Sequence, residues 1–336
     1  MSLASYIGQR DALAPLTAAL AAVRANGRPL PHSLFLGRPG TGKTTLARTI
    51  ADELGVPCVV VNCASVADRT RLADAAIEAQ GGILALDEIH ALDRKAAESL
   101  FTLLDEGKVT TWLPQMREDF APVWIDTRDQ MPAQMHDLFY GPGLYEVPVT
   151  VATTKLAEAT IDVADVVVIG CTTDEALMPP ALLSRLSRLV VRLRDYTEVE
   201  LATIATLYAE DELGCSIEGE AAIVIAQHSR RSPRRVKQLT ERASDYAIVR
   251  DGRISVADAH SALSAAGIGA LGLEAPHREL LGILAESGGL SRTSLAQRLA
   301  LPPRNVTMIW SDLAAEGLVQ IDTRHRITEA GMRVLG

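Results

Sequence analysis

The chain has 336 residues, 48% of them apolar, and a net charge of −9. That length accommodates two or three domains with sizeable cores, and the acidic balance excludes a surface that coats nucleic acid non-specifically. No apolar run reaches the ~18 residues that cross a bilayer, and MSLASYIGQRD lacks the charged-then-apolar order of a signal peptide, so the expected compartment is the cytoplasm, with no membrane partner.

Residues 10–26 place Leu13, Leu16, Leu20 and Val23 three or four apart, the spacing of one apolar helical face. Pro15 must then sit near the first turn or bend the helix. SLFLG (33–37) is a short apolar run ending in glycine. KTTLARTIADELG (43–55) reads as a helix with Gly55 just past its end. VPCVVVN (56–62), GILALD (82–87) and ADVVVIG (164–170) have the length and aliphatic content of strands, and RLVVRL (188–193) is a candidate for another. Such runs alternating with helices imply an α/β fold, a parallel sheet covered on both faces. Cys58, Cys63, Cys171 and Cys215 are scattered, without paired or metal-ligand spacing, so neither a disulfide framework nor a zinc site is indicated.

From 197 to 265 the pattern is helical, with no strong strand. HRELLGILAES, SRTSLAQRLA and PPRNVTMIWSDLAAEG then read as three short helices, and VQIDTRHRIT as a two-stranded ribbon. That order is a winged helix-turn-helix. The boundaries expected near 195 and 272 give a nucleotide-binding domain (1–195), a small helical lid (196–271) and a winged domain (272–336). Residues 275–336 carry seven Arg against six acidic residues. A nucleic-acid surface is therefore expected there rather than elsewhere.

GRPGTGKT (37–44) fits the P-loop pattern in full, between an apolar strand and a helix. Gly37, Gly40 and Gly42 let the backbone wrap closely around phosphate oxygens, with Thr41 and Thr45 completing the loop. Lys43 can neutralise the outer phosphates of ATP or ADP, and the Thr44 hydroxyl can bind Mg²⁺. Asp87 ends a buried strand, at the edge of a parallel sheet where ligands bind. It can hold Mg²⁺ through water, and Glu88 can accept a proton from the attacking water. His90 follows them with no partner evident in the sequence, and a structural or positioning role is expected of it. The stretch DEIH also matches the acidic box of a two-lobed helicase. No second lobe follows, because the chain turns helical and then winged.

In that order the motifs resemble the RuvB family, AAA+ motors of Holliday-junction branch migration. The resemblance rests on SYIGQ (5–9), GRPGTGKTTLA, LALDEIHALDR, VVVIGCTTDEALMPPALLSRL (166–186), HSRRSPRRVKQLTERASDYA (228–247) and GLVQIDTRHRITEAGMRVLG. It implies that Tyr6 and Ile7 border the adenine. It makes Thr172 or Thr173 the sensor 1 hydroxyl, and Arg234 the sensor 2 arginine reaching the nucleotide from the lid. Arg185 becomes an arginine finger pointing into the neighbouring subunit of a hexameric ring, with Arg188 as a rival. The basic residues around Arg234, namely Arg230, Arg231, Arg235 and Lys237, read as a solvated face. Arg324 and Arg326, at the tip of the expected wing, and Arg304, near the start of the third helix, are the candidate DNA contacts.

Two departures from the family pattern stand out. Leu183 occupies the position where RuvB chains usually show a first arginine. A longer stretch also separates Asp87 from sensor 1, and it holds six of the chain's thirteen aromatic residues, Trp112, Phe120, Trp124, Phe139, Tyr140 and Tyr145. The insertion, about 109–150, falls where RuvB carries a β-hairpin that engages RuvA. It implies either an altered partner surface or a small excursion that buries its own aromatics, and leaves a RuvA-like partner open. The implied function is an ATP-driven DNA motor of a ring-forming ATPase in recombination and repair. The alternative is a non-processive switch, such as a clamp- or helicase-loader or an initiator ATPase.

Overall fold

The computed structural model describes residues 3–65, 69–116, 123–126, 146–149, 154–249, 252–321 and 325–335. The chain opens with helix α1 (Arg10–Asn26), strand β1 (Ser33–Leu36) and α2 (Lys43–Leu54). Then come β2 (Cys58–Asn62), α3 (Arg69–Glu78), β3 (Ile83–Asp87) and α4 (Arg94–Glu106). After an excursion, β8 (Val167–Thr172), α5 (Pro180–Leu186) and β9 (Leu189–Arg192) complete the unit. The five strands form one parallel sheet in the order β2-β3-β8-β1-β9.

Strand alternation explains why helices cover both faces. Leu34, Leu36, Leu84, Leu86 and Val168 point to the side of Leu72, Leu100, Leu103 and Leu182, from α3, α4 and α5. Phe35, Ile83, Ala85, Ile169 and Val191 point the other way, onto Leu13, Leu16, Leu20, Leu46 and Ile50 of α1 and α2. Pro15 falls within α1 rather than in its first turn. Gly55 takes the left-handed cap of α2, φ 69°, as its position implies.

The excursion is built of ribbons. Strand β4 (Lys108–Met116) pairs antiparallel with β7 (Thr154–Asp162), from Lys108↔Asp162 to Met116↔Thr154. Strand β5 (Val123–Asp126) pairs with β6 (Glu146–Val149). The first ribbon is rooted on the sheet unit by buried Val109 and by the Thr111 hydroxyl, which donates to Asp74 at 3.1 Å. Trp112 is 42% exposed. Phe120, Phe139, Tyr140 and Tyr145 lie outside the described residues.

The lid comprises α6 (Glu198–Asp211), α7 (Gly219–Gln227), α8 (Pro233–Ile248) and α9 (Val256–Ala265). Their buried side chains form a separate cluster that includes Leu201, Ile225, Val236 and Leu263. The expectation of no strong strand needs a small amendment. Two-residue strands β10 (Ser216–Ile217) and β11 (Arg253–Ile254) pair in parallel within this unit.

The winged unit has α10 (Ala275–Ser287), α11 (Arg292–Arg298) and α12 (Pro303–Ala315). The ribbon β12 (Val319–Ile321) with β13 (His325–Ile327) and the closing helix α13 (Glu329–Leu335) follow. Leu280, Leu284, Leu295, Val306, Trp310 and Leu313 are its core. Among the described residues no helix is long and apolar enough to cross a membrane.

Candidate active site

The loop 37–44 joins β1 to α2 at the carboxyl edge of the sheet, where crossovers leave a crevice. Geometry dictates two of its glycines. Gly40 (φ 80°) and Gly42 (φ 93°) are left-handed, and a side chain would collide at either. A Cβ on Gly42 would lie 2.6 Å from the Tyr6 hydroxyl, and one on Gly40 2.5 Å from the Ser232 hydroxyl. The turn aims the amino end of α2 at the cleft, the pole of a helix that attracts phosphate. Lys43 is buried, and its Nζ donates to the carbonyls of Gly37 at 2.7 Å and Arg38 at 3.1 Å. Burial pulls this ammonium below its ordinary pKa, against the opposing pull of Glu88 and Asp87. Thr41 braces the loop by donating to the Arg38 carbonyl at 2.8 Å, and Gly37 N–H donates to the Thr172 carbonyl at 3.3 Å.

A cleft of about 790 Å³ opens beside this loop. Gly40, Gly42, Lys43, Thr44 and Thr45 line one side, Asp87 and Glu88 another, and Tyr6 and Ile7 close the end next to the lid. Arg234, second residue of α8, reaches the cleft from the lid. The structure therefore brings together most of the residues expected to meet nucleotide, from four separate segments of chain. It adds three more. Asn62 ends β2 in register with Asp87 and lines the cleft. Lys237 lines it one turn beyond Arg234, with Nζ 4.8 Å above the Tyr208 ring. Tyr196 donates its hydroxyl to Tyr6 at 3.4 Å, and Tyr6 donates to the Gly42 carbonyl at 3.3 Å. Burial pushes the Tyr6 hydroxyl far above its ordinary pKa. The spacing of Lys237 from Arg234 on one helix was the available signal for it. Asn62 also had one, as the polar end of an apolar strand.

Glu88 follows β3 in a left-handed backbone conformation (φ 52°, ψ 43°), unusual for a residue with a side chain. His90 has the partners that the sequence did not reveal. Its Nε2 is 3.3 Å from Glu88 Oε2, and its Nδ1 is 2.8 Å from the Thr172 hydroxyl. Thr172 is fully buried at the end of β8, between the strands that carry the P-loop and the acidic pair. Thr173 is half-buried. Neither threonine lines the cleft.

Arg185 also stays outside its own cleft. Its guanidinium is paired with Asp105, the Nε to Oδ1 distance being 2.8 Å, and sits 4.7 Å from the Phe101 ring centroid. That hydrogen bond holds the Asp105 carboxyl below the usual range. Arg188 is exposed. In the winged unit Arg326 is exposed and lies within β13, rather than at the tip of the wing. Arg304 is on the first turn of α12, and Arg324 lies outside the described residues.

The solvated face expected around Arg234 is corrected for two of its members. Only 14% of the Arg230 side chain and 18% of that of Arg235 are exposed. Arg230 bonds to Asp312 of α12 and to His277 of α10, and Arg235 to Glu274 at 2.6 Å. Their partners come from the winged unit, far along the chain, so nothing local in the sequence announced them.

A P-loop on an inner strand defines the class of protein, together with an acidic pair on the strand two places away and a lid that delivers an arginine to the cleft. This is an ATP hydrolase of the AAA+ class. Residues 1–116 match the family described as Holliday junction DNA helicase RuvB P-loop domain, and residues 196–269 the RuvB AAA lid domain. The chain is 30% identical to Holliday junction branch migration complex subunit RuvB 2 of a Synechococcus strain, over 100% of its own length and 82% of that protein. It is 32% identical to RuvB of Methanoregula boonei, over 86% of this chain and 75% of the relative. Solved structures of Thermotoga maritima RuvB superpose with TM-scores of 0.74 for the branch migration motor and 0.76 for a single-substitution variant. Identities are 24% and 25%, with 99% of this chain and 96% of each relative covered. The chain belongs to the RuvB family.

Proposed function

We propose that the chain is a subunit of a ring-forming, ATP-driven motor that moves DNA at four-way junctions. The observation that carries this is a cleft lined by the P-loop, the acidic pair and an arginine of the lid, in a chain that also folds a winged unit and that matches, along its whole length, a relative named for branch migration. In this reading residues 1–195 bind nucleotide, 196–271 are the lid and 272–336 meet DNA. Tyr6 and Ile7 pack against the base, Lys43 neutralises the outer phosphates, and Arg234 couples lid angle to nucleotide state. Glu88 takes the proton of the attacking water. Thr44 and Asp87 face one cleft and offer a hydroxyl and a carboxylate. That suits Mg²⁺, which keeps most of its shell as water and phosphate oxygen. Such an ion would supply positive charge against the phosphates. Arg185, turned away from its own cleft, serves the neighbouring subunit. Arg326 with Arg324, and Arg304, contact phosphates of the duplex. The exposed Trp112 on the β4–β7 ribbon supports a partner-binding role for the excursion.

The test is unwinding of a synthetic four-way junction by the purified chain, with and without a RuvA-like protein. ATP-dependent unwinding is expected, and none with Glu88→Gln, which should still bind ATP. Hydrolysis without unwinding under both conditions would favour a switch over a motor. A shallower salt dependence of DNA affinity is expected for Arg324→Ala with Arg326→Ala.

A further inference from the structure

We infer that His90 is a positioning residue for hydrolysis, tying the Glu88 carboxylate to the sheet through the Thr172 hydroxyl. The inference rests on the reading of Glu88 as general base and goes beyond it by naming what holds that base in place.

The need for a hold is visible in Glu88 itself. Its side chain is 32% exposed in an open cleft, and a glutamate there has three rotatable bonds to sweep. Its left-handed backbone turns the chain sharply out of β3 into the short 3-10 turn Ile89–Ala91. That turn is pinned by Ile89, which is fully buried and packs so close to Gly170 of β8 that a Cβ on the glycine would lie 3.0 Å from Ile89 Cδ1. The pinned turn sets the His90 ring between Glu88, just past the end of β3, and Thr172, the last residue of β8.

Donor and acceptor chemistry sets the arrangement that serves all three groups. An ionised carboxylate only accepts, so the proton between ring and Glu88 sits on His90 Nε2. With the ring proton on Nε2, Nδ1 is an acceptor, and the Thr172 hydroxyl donates to it at 2.8 Å in preference to the Asp174 carbonyl, which lies farther off at 3.1 Å. Thr172 Oγ1 also accepts from the Asp174 N–H at 3.2 Å, which steadies it at the strand end. One line of contacts therefore runs from Thr172 through the ring to Glu88, a hydrogen bond at 2.8 Å and then a charge contact at 3.3 Å. A shift of β8 as the cleft closes would be felt at the carboxylate. A ring that merely filled space would not need both nitrogens matched.

The experiment is steady-state ATP hydrolysis together with nucleotide affinity, measured on the full chain. His90→Ala should lower kcat by about 10- to 100-fold, the scale of a misplaced catalytic group, while KM and the affinity for a fluorescent ATP analogue change less than about twofold. His90→Gln, whose amide can both donate to Glu88 and accept from Thr172, should recover much of that loss. Thr172→Val should lower kcat similarly, and the double variant His90→Ala with Thr172→Val should be no worse than either alone. A wild-type kcat for His90→Ala overturns the inference. So does a fall in nucleotide affinity that accounts for the whole defect, a His90→Gln no better than His90→Ala, or multiplicative losses in the double variant. Glu88→Gln measured in parallel separates the two levels. If it is inactive while His90→Ala is normal, only the positioning role fails. If it hydrolyses at the wild-type rate, the general-base reading fails and this inference fails with it.

Discussion

Arg185 reaches toward no nucleotide of its own, yet it is not idle. Asp105 takes its guanidinium and the Phe101 ring lies beneath it. A finger that serves a neighbouring subunit must first leave that carboxylate. Partly exposed ion pairs are weak, so under the proposed role Asp105 would bias Arg185 without locking it. Asp105→Asn is therefore expected to lower the chain concentration that gives half-maximal hydrolysis, by a factor of about two to five. Arg185→Ala should remove most hydrolysis at every concentration. Hydrolysis rate against chain concentration checks both; a higher half-maximal concentration for Asp105→Asn would mean that the pair prepares the finger instead. At this scale the sequence was legible wherever close approach to phosphate restricts residue type and spacing, as in 37–44 and the Asp87–Glu88 pair. It was silent on partners brought from afar. Thr172 lies 82 residues from His90, and Asp105 lies 80 from Arg185.

Among the elements, the amino end of α6 ties the lid to the sheet unit. Thr197 caps it, and Glu200 reaches back to the Thr197 N–H, a capping box. Glu200 also pairs with Arg194 at 2.6 Å. The buried Gln9 side chain clasps the same hinge, donating to the Arg194 carbonyl at 2.7 Å and accepting from its N–H at 2.9 Å. The IGQ segment thus lines the cleft with Ile7 and holds the hinge with Gln9. The Arg194 hydrogen bond, with those of Thr197, brings the Glu200 carboxyl from an ordinary 4.5 down to about 2. A carboxyl with a lowered folded pKa adds stability that is complete above the unfolded value and disappears as pH falls through the folded one. The window here runs from about 4.5 down to about 2. Glu200→Gln keeps a capping partner but removes the charge, and should cost on the order of 1–2 kcal/mol at neutral pH. Urea midpoints of the two proteins should converge as pH falls below 4.5; a constant gap would place the effect in packing. The parallel strands were legible because burial on both faces leaves only aliphatic runs. Strands β4 and β7 were not, since KVTTWLPQM and TKLAEATID mix charges and a proline, and each has one partner strand. The two-residue strands β10 and β11 are too short to show any period.

Over the whole molecule, the P-loop, lid and winged unit meet at one cluster of charges. Arg38, inside the P-loop, pairs with Asp195 at 3.1 Å and lies 3.7 Å from Asp312 of α12. Asp312 also accepts from Arg230 of the lid. Burial would raise the Asp312 carboxyl, but His277 and Arg230 hold it below its ordinary range. Arg230 and Arg231 both have positive φ, 51° and 58°, so the turn between α7 and α8 is bent to present them. A P-loop that tightened on nucleotide would move Arg38, whose charge contact at 3.7 Å is with Asp312 of the winged unit, the same carboxylate that takes Arg230 of the lid. Under the proposed function this cluster is a route from hydrolysis to movement of the winged unit, and it makes Asp312 the residue to remove. Asp312→Asn leaves the nearly buried Arg230 only the more distant Glu274 carboxylate, at 3.9 Å, and docking of the winged unit should weaken by about 2–4 kcal/mol. Hydrogen exchange of α10 and α12 should quicken while α2 and β3 keep their protection. Added nucleotide should slow exchange in α12 of the wild-type chain and leave it unchanged in Asp312→Asn. Equal nucleotide effects in the two proteins would show that the charge cluster fastens the winged unit without transmitting anything to it.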